Sequence, residues 1–303
     1  MNQALRTPSP VSNQHSPQYT AVLLVGHGSL RRASGAAMIR LAARLRASGV
    51  APITQAAFLN YSRPSVAEGV ARCVARGARE IVVVPYFLVA GWFVKQALPQ
   101  QLQSCRAQYP AVSIRQTEAL GDHPALAHLV MQRALEADYL HAFPQLRDPA
   151  VNRLCIATDT WQPLHTAQRT GLLLVAHGSP EPESNRPIYA VAERIRASSR
   201  YAAVTVCFMD LNRPSIGEAV GDFAQIGLQH TLAVPYFLQL GNHVAKDLPQ
   251  LFSQANEHHP QMNIVVAEHL GYDRLLLAPI ADRVCGAAAV AGPLDRPTLQ
   301  PAV

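Results

Sequence analysis

Lysine is nearly absent from this 303-residue sequence: it occurs only at Lys95 and Lys246, so arginine supplies 24 of the 26 basic residues. Charged residues make up 15% of the chain and aromatic residues 6%, whereas 49% is apolar. So high an apolar content excludes a disordered chain. The longest apolar run, residues 81–94, is interrupted by a proline and a glycine. A spanning helix needs about 20 apolar residues, so we expect no membrane segment.

Cysteine is also sparse, and no targeting signal is recognisable. The five cysteines are odd in number, widely spaced and without a CxxC pair, which argues against a disulfide framework or a zinc knuckle. We interpret them as reduced structural thiols. Residues 1–19 lack the apolar core of a signal peptide. We therefore expect residues 1–19 and 291–303 to be tails and the protein to be cytoplasmic.

The excess of arginine gives a formal net charge of +6. Arginine binds carboxylate and phosphate groups through a planar fork, so an anionic partner is one explanation. A compositional drift toward arginine is the other. Nucleic acid is a poor candidate because the arginines are dispersed and no basic tract with interleaved aromatics occurs.

The sequence repeats itself at a constant offset of 150 residues. The repeated segments are VLLVGHGS and LLLVAHGS (22–29 and 172–179), FLNYSRPS and FMDLNRPS (58–65 and 208–215), and VPYFL twice (84–88 and 234–238). One offset held over about 100 residues indicates a duplicated domain. We expect a first copy over 20–141, a linker over 142–170 and a second copy over 171–290.

Within each copy, short apolar runs alternate with helical stretches. In the first copy we expect strands at 21–25, 53–59, 81–86 and 112–116, and helices at 33–48, 65–76, 93–108 and 124–139. Apolar runs buried on both faces are typical of a parallel sheet covered by helices on both sides. The Arg-Pro-Ser segments predict helix starts with proline in the first turn. The expected fold class is α/β, with two tandem domains of about four parallel strands each.

Ligands of open parallel sheets bind at the carboxyl ends of the strands. In the second copy, His177 follows the first strand, Asp210 ends the second, and His243 opens the helix after the third. If the first strand lies between the other two, these side chains share one crevice. Two imidazoles and a carboxylate suit a divalent transition metal or proton transfer. A hydrogen-bonded core network is the alternative.

The first copy retains only part of this set. His27 corresponds to His177, but Asn60 replaces Asp210 and Phe93 replaces His243. An amide does not take up a proton as a carboxylate does, and a phenyl ring cannot ligate a metal. We therefore expect one working site, in the second copy, although a purely structural His243 would also tolerate a change to Phe.

The ordered motifs LVAHGS, FMD with RPS, and VPYFLxxGxHVxxDLP resemble those of the class II tetrapyrrole chelatases, the sirohydrochlorin cobaltochelatase and ferrochelatase family. The resemblance spans both copies and implies flavodoxin-like domains, which are found singly as dimers or fused in tandem. It implies that His177 and His243 bind the metal, with His177 also accepting protons. Asp210 lies where the family usually has Glu or another acid. The positions implied to hold substrate are Arg213, Leu238, Gln239, Leu240, Gly241 and Asn242.

The resemblance implies ATP-independent insertion of Co²⁺ or Fe²⁺ into sirohydrochlorin, for cobalamin or sirohaem biosynthesis, with no permanently bound cofactor. Sirohydrochlorin is an anionic polycarboxylate, which fits the arginine-rich composition. The sequence does not choose between cobalt, iron and nickel. The copies are expected to pack as an intramolecular pseudo-dimer. Two alternatives are a non-catalytic tetrapyrrole or metal carrier and, more weakly, a histidine phosphatase, whose Arg-His-Gly motif is missing.

Overall fold

The computed structural model describes residues 20–29, 32–148, 153–154, 169–239 and 241–290. The first copy contains a parallel sheet of four strands in the order β2-β1-β3-β4. Its strands are β1 (Thr20–Gly26), β2 (Ile53–Phe58), β3 (Glu80–Pro85) and β4 (Ser113–Gln116). Its helices are α1 (Arg32–Ala47), α2 (Val66–Ala75), α3 (Leu98–Gln108), which follows a π-helical turn (Phe93–Ala97), and α4 (Pro124–Ala142). A short antiparallel pair follows, β5 (Arg147–Asp148) and β6 (Arg153–Leu154).

The second copy repeats this architecture. Its strands are β7 (Thr170–Ala176), β8 (Ala203–Phe208), β9 (His230–Pro235) and β10 (Asn263–Val266), in the order β8-β7-β9-β10. Its helices are α5 (Arg186–Ala197), α6 (Ile216–Gln225), α7 (Asn242–His258) and α8 (Leu277–Val290). Two parallel four-stranded sheets with helices on both faces confirm the predicted fold class. The first strand of each copy lies between the second and third, which is the order needed for residues after these strands to share one crevice.

In each copy, the helix that follows the second strand begins at a different place from the one predicted. The helices α2 and α6 begin after Ser65 and Ser215, so the preceding prolines lie before the N-cap and not in the first turn. The reason is a capping box in each copy. The serine hydroxyl accepts a hydrogen bond from the amide of Glu68 or Glu218, and that glutamate accepts one from the serine amide.

The two copies share their largest apolar core. Apolar side chains of α1, α4, α5 and α8 pack together between the two sheets, with Leu24 and Leu174 at the centres of the facing strands. Two smaller cores lie under α2 and α3 in the first copy and under α6 and α7 in the second. The order of layers is therefore helix, sheet, shared helices, sheet, helix.

The last helix of each copy lies against the sheet of the other copy. Helix α4 contacts β9, β10 and α5, and α8 contacts β3 and α1. Arg133 of α4 donates to the carbonyls of His269 and Leu270, and its counterpart Arg283 of α8 donates to those of Ala119 and Leu120. The contacts are thus reciprocal and related by the 150-residue offset. Within the described residues, no helix is long and apolar enough to cross a membrane.

Candidate active site

A cleft of about 230 Å³ opens at the carboxyl ends of the central strands of both sheets. The first copy contributes His27, Tyr86, Phe87, Leu88 and Val89, and the second contributes Ala176, His177, Gly178, Asn185, Ile188, Tyr236, Phe237, Leu238 and Gln239. Sequence reasoning placed the site in the second copy alone. The cleft is formed by equivalent loops of both copies, and the paired VPYFL motifs were the signal that could have shown this. That the working residues lie in the second copy stays a prediction.

The histidines enter the cleft because a glycine follows each of them. His27 and His177 are half-buried residues directly after β1 and β7. Gly28 and Gly178 have φ values of 90° and 95°, a region that disfavours residues with a Cβ. A Cβ at Gly28 would also lie 1.8 Å from the carbonyl oxygen of Asn60. The repeated His-Gly-Ser motif therefore encodes a tight exit turn that fixes each imidazole.

The exit turns are held by polar side chains that sequence reasoning missed. In the first copy, the amide of Ser29 donates to the Ser62 hydroxyl at 3.0 Å. In the second copy, Asn212 replaces Ser62 and its Oδ1 accepts from the Ser179 amide at 2.7 Å and from Asn185 Nδ2 at 3.0 Å. Ser62 and Asn212 are 150 positions apart, so they occupy equivalent places in the two copies, and this was the available signal in the sequence.

The environment of His27 is aromatic. Its Nδ1 lies 3.0 Å from the carbonyl oxygen of Gly28, which can only accept a hydrogen bond, so Nδ1 is the donor. The imidazole packs edge-on against the ring of Phe93 at 4.4 Å and lies 5.8 Å from that of Tyr61. The position that carries a second histidine in the other copy therefore offers no ligand atom here.

The structure brings together only part of the predicted catalytic set. His177 lines the cleft, whereas Asp210 is exposed in the loop after β8 and does not line it. His243 is the second residue of α7, so the backbone places it at the helix N-terminus as expected. Its side chain lies outside the described residues. The roles of these three residues stay predictions.

The predicted substrate-binding positions are also divided. Leu238 and Gln239 line the cleft, and Gly241 forms the N-cap of α7. Leu240 and the side chain of Asn242 lie outside the described residues. Arg213 is 83% exposed, forms an ion pair with Glu218 and does not line the cleft. Its contact with substrate therefore stays a prediction.

Metal ligation inside the protein is restricted to few side chains. Among the side chains that the structure describes, no three His, Cys, Asp or Glu residues lie close enough to hold a metal ion. Burial raises the pKa of Cys207 to about 12 and that of Cys73 to about 11, so neither supplies a thiolate at neutral pH. This agrees with the interpretation of these two cysteines as structural thiols, whereas Cys285 is exposed and Cys155 lies outside the described residues.

Flat apolar surfaces form the inner walls of the cleft. Tyr86 and Tyr236 are buried, and burial raises the pKa of both hydroxyls above the ordinary tyrosine value, so both stay protonated.

An ion pair of 2.9 Å joins Lys95, in the π-helical turn, to Glu181, in the loop that begins with His177. The hydrogen bond and charge of Lys95 lower the pKa of Glu181. An ion pair thus links the two copies.

A larger cavity of about 540 Å³ lies elsewhere, between α4, α7 and the free edge of β10. Arg133, Arg147, Glu268 and His269 line it, and none of the predicted site residues does. Volume alone would favour this cavity. The smaller cleft is the better candidate because it lies at the strand ends and contains both histidines.

Comparison with known proteins places these features in a family. The sequence model of the CbiX family matches residues 21–137 and 171–287, which is most of each copy. A sirohydrochlorin cobaltochelatase of Priestia megaterium is 24% identical over 263 residues, which cover 87% of this chain and 78% of that protein. A sirohydrochlorin ferrochelatase of Bacillus subtilis is 23% identical over 272 residues, 89% of this chain and 92% of that protein.

One solved structure shares the complete architecture. The structure described as SirB from Bacillus subtilis with Fe³⁺ superposes with a TM-score of 0.72 at 21% identity. The superposition covers 89% of this chain and 96% of the other. The two chains therefore share the fold, with both copies in the same arrangement along the sequence.

Proposed function

Since the chain belongs to the CbiX family, we propose that it inserts a divalent metal ion, Co²⁺ or Fe²⁺, into sirohydrochlorin without ATP. The observation that carries the proposal is the cleft shared by His27 and His177 at the strand ends. The names of the relatives supply the substrate. The enzyme would thus be a lyase of the chelatase type, in which the metal is a substrate and no cofactor is permanently bound.

Insertion requires the metal to enter as two pyrrole N–H protons leave. Imidazole nitrogens accept protons near neutral pH and bind such metals without holding them irreversibly. We assign the proton acceptor and first metal ligand to His177, which lines the cleft, and the second ligand to His243 at the start of α7. Asp210 would act from the exposed loop after β8, as a carrier of protons to solvent.

We further propose that the two copies act as an intramolecular pseudo-dimer around one substrate. The reciprocal contacts of Arg133 and Arg283, the shared core and the exchanged last helices support this arrangement. The net charge of +6 favours association with a polycarboxylate substrate. The cytoplasmic location stays a prediction of the sequence.

The test is an absorbance assay of metal insertion with purified protein, sirohydrochlorin and either Co²⁺ or Fe²⁺. We expect the wild-type protein to exceed the uncatalysed rate and His243→Ala to reduce it to that rate. His27→Ala should retain most of kcat, because Phe93 provides no second ligand beside it. The reverse order of the two variants would place the working residues in the first copy.

The assay also separates an enzyme from a carrier. Wild-type protein that binds the tetrapyrrole or the metal but does not accelerate insertion would identify a carrier and overturn the enzymatic proposal. Competition between Co²⁺, Fe²⁺ and Ni²⁺ in the same assay identifies the preferred metal.

A further inference from the structure

Four aromatic residues of the first copy surround His27 beside the cleft. Phe93 lies 4.4 Å from the His27 ring and 5.3 Å from the ring of Trp92, and Phe87 stacks with Phe93 at 6.4 Å. Tyr61, whose ring lies 5.8 Å from that of His27, completes the group. We call these residues, Tyr61, Phe87, Trp92 and Phe93, the aromatic wall.

The outer part of the aromatic wall faces solvent. Tyr61 is 69% exposed and Trp92 is 61% exposed. A single exposed apolar side chain is ordinary, but exposed aromatic rings connected through half-buried ones beside a cleft are typical of a binding surface. The wall is continuous with the cleft, because Phe87 and the half-buried His27 also line it.

Three of the four wall positions are aromatic in the first copy only, whereas Phe87 corresponds to Phe237 in the second. At the offset of 150, Leu211 stands in place of Tyr61, Asn242 in place of Trp92 and His243 in place of Phe93. The two copies have therefore diverged at the same three places. The second copy has a histidine where the first has Phe93, and the first has aromatic residues where the second has Leu211 and Asn242.

We propose that the aromatic wall binds the planar ring system of the tetrapyrrole and holds it against the histidines of the second copy. This inference rests on the proposed function and adds a substrate-positioning surface to it. The cleft volume of about 230 Å³ is below the ~300–1,000 Å³ of pockets that enclose drug-sized ligands. A tetrapyrrole must therefore extend beyond the cleft, and the wall is the apolar surface that adjoins it.

The charges that flank the wall fit the periphery of this substrate. Arg63 lies two residues after Tyr61, and Lys95 lies two residues after Phe93. Both side chains are exposed and form ion pairs, with Glu68 and Glu181 respectively. Exposed ion pairs contribute little to stability, so both cations can exchange their partner for a substrate carboxylate. Exposed cations two residues from wall residues suit an apolar ring with carboxylates at its edge.

The experiment measures binding of metal-free sirohydrochlorin by equilibrium dialysis, so that no turnover is involved. The variants are Trp92→Asn, which installs the residue of the second copy, and Tyr61→Asn, since asparagine tolerates the positive φ of Tyr61. We expect each to raise the Kd about tenfold, the effect of losing an aromatic stacking contact. The matched control is Phe143→Leu, an exposed aromatic residue that does not line the cleft and whose Kd should equal that of wild type.

A second readout uses the intrinsic fluorescence of Trp92. Trp161 is the other tryptophan of the chain, so Trp161→Phe leaves Trp92 as the only indole. Addition of sirohydrochlorin should quench its emission, and Tyr61→Asn in this background should shift the quenching curve to higher concentration. KM for the metal should be the same in all variants.

The outcomes distinguish this inference from the proposed function. Unchanged Kd values for both variants, together with wild-type insertion activity, would overturn the proposal that the aromatic wall binds substrate. The proposed chelatase function would stand. A wild-type protein that neither binds nor metallates sirohydrochlorin would overturn both. A change in sedimentation of Trp92→Asn with an unchanged Kd would identify the wall as a contact between two copies of the chain, and would also overturn it.

Discussion

Tyr86 and Tyr236 occupy equivalent places in the two copies but have different partners. The hydroxyl of Tyr86 donates to the carbonyl oxygen of Gly271, in the other copy, at 3.1 Å. The hydroxyl of Tyr236 is buried and has no hydrogen-bond partner among the residues that the structure describes. A buried hydroxyl without a partner destabilises the native state, whereas one that is satisfied does not.

The duplication therefore provides a matched pair of substitutions. Tyr86→Phe should lower the free energy of unfolding by about 1 kcal/mol, because it removes a hydrogen bond between the copies and leaves a buried carbonyl. Tyr236→Phe should leave the free energy of unfolding unchanged or raise it, because it removes an unpaired buried group. Urea denaturation of both variants measures the difference. Equal losses would show that Tyr236 also has a partner in solution.

Residue identity indicated the histidines better than it indicated the acid. His27 and His177 follow buried strands and precede glycines, and this local pattern fixes where an imidazole lies. Asp210 follows its strand within a loop whose path depends on the contacts of Asn212 with the neighbouring exit turn. Nothing in the pattern around Asp210 gives the direction of that loop. Its exposure could therefore not be predicted.

At the scale of secondary structure elements, the strands were predicted to within a few residues. Each strand is an apolar run buried on both faces, and turns follow it closely, so its limits are visible in the sequence. The order of strands followed from the expected fold class. The helices were less informative, because an apolar helical stretch shows that a face is buried and not which sheet buries it. The placement of α4 and α8 on the opposite sheets was not foreseen.

The reciprocal arginines of these two helices differ in burial. Arg133 is 3% exposed and forms ion pairs with Glu136 at 3.0 Å and Asp273 at 2.8 Å. Arg283 is 30% exposed, and its ion-pair partner Glu118 is 82% exposed. Water can therefore replace many of the interactions of Arg283, whereas it can replace few of those of the buried Arg133.

We expect Arg133→Met to lower the free energy of unfolding by about 3–5 kcal/mol, because two buried carboxylates lose their facing cation. Arg283→Met should cost about 1–2 kcal/mol, the value of its hydrogen bonds to backbone carbonyls. Urea unfolding followed by circular dichroism gives both values. Because the methionine side chain has a similar apolar length, the comparison separates the loss of the guanidinium group, with its charge and hydrogen bonds, from a loss of apolar packing. Similar losses at the two sites would show that burial does not decide the contribution.

At the scale of the whole molecule, the two copies are not independent domains. The core between the sheets contains helices of both copies, and each copy completes that core with a helix from the other. The candidate site is likewise formed by loops of both copies. Both copies must keep their fold, because each supplies part of the cleft wall. The site residues of one copy can nevertheless change, since the fold does not depend on them.

Cleavage of the chain between the copies tests this unity directly. A protease site inserted between Leu154 and Arg169 separates the chain after β6 and before β7. We expect the two fragments to stay together after cleavage and to elute from a size-exclusion column at the position of the intact chain. The reason is that separation would expose the shared core and the buried pair of Asp138 in α4 with His230 in β9, 2.9 Å apart. Tetrapyrrole binding should survive as well, because both walls of the cleft remain in place.

The same cleaved protein carries its own control. Arg133→Met weakens only contacts that cross between the copies and within α4, so it should release the fragments at a lower urea concentration than the cleaved wild type requires. The uncleaved Arg133→Met protein cannot separate and gives the loss of stability alone. Two separate elution peaks from the cleaved wild type without denaturant would mean that the contacts between the copies are too weak to act without the linker. The cleft would then depend on the covalent connection between the copies, and the proposal that they pack as a pseudo-dimer would be wrong.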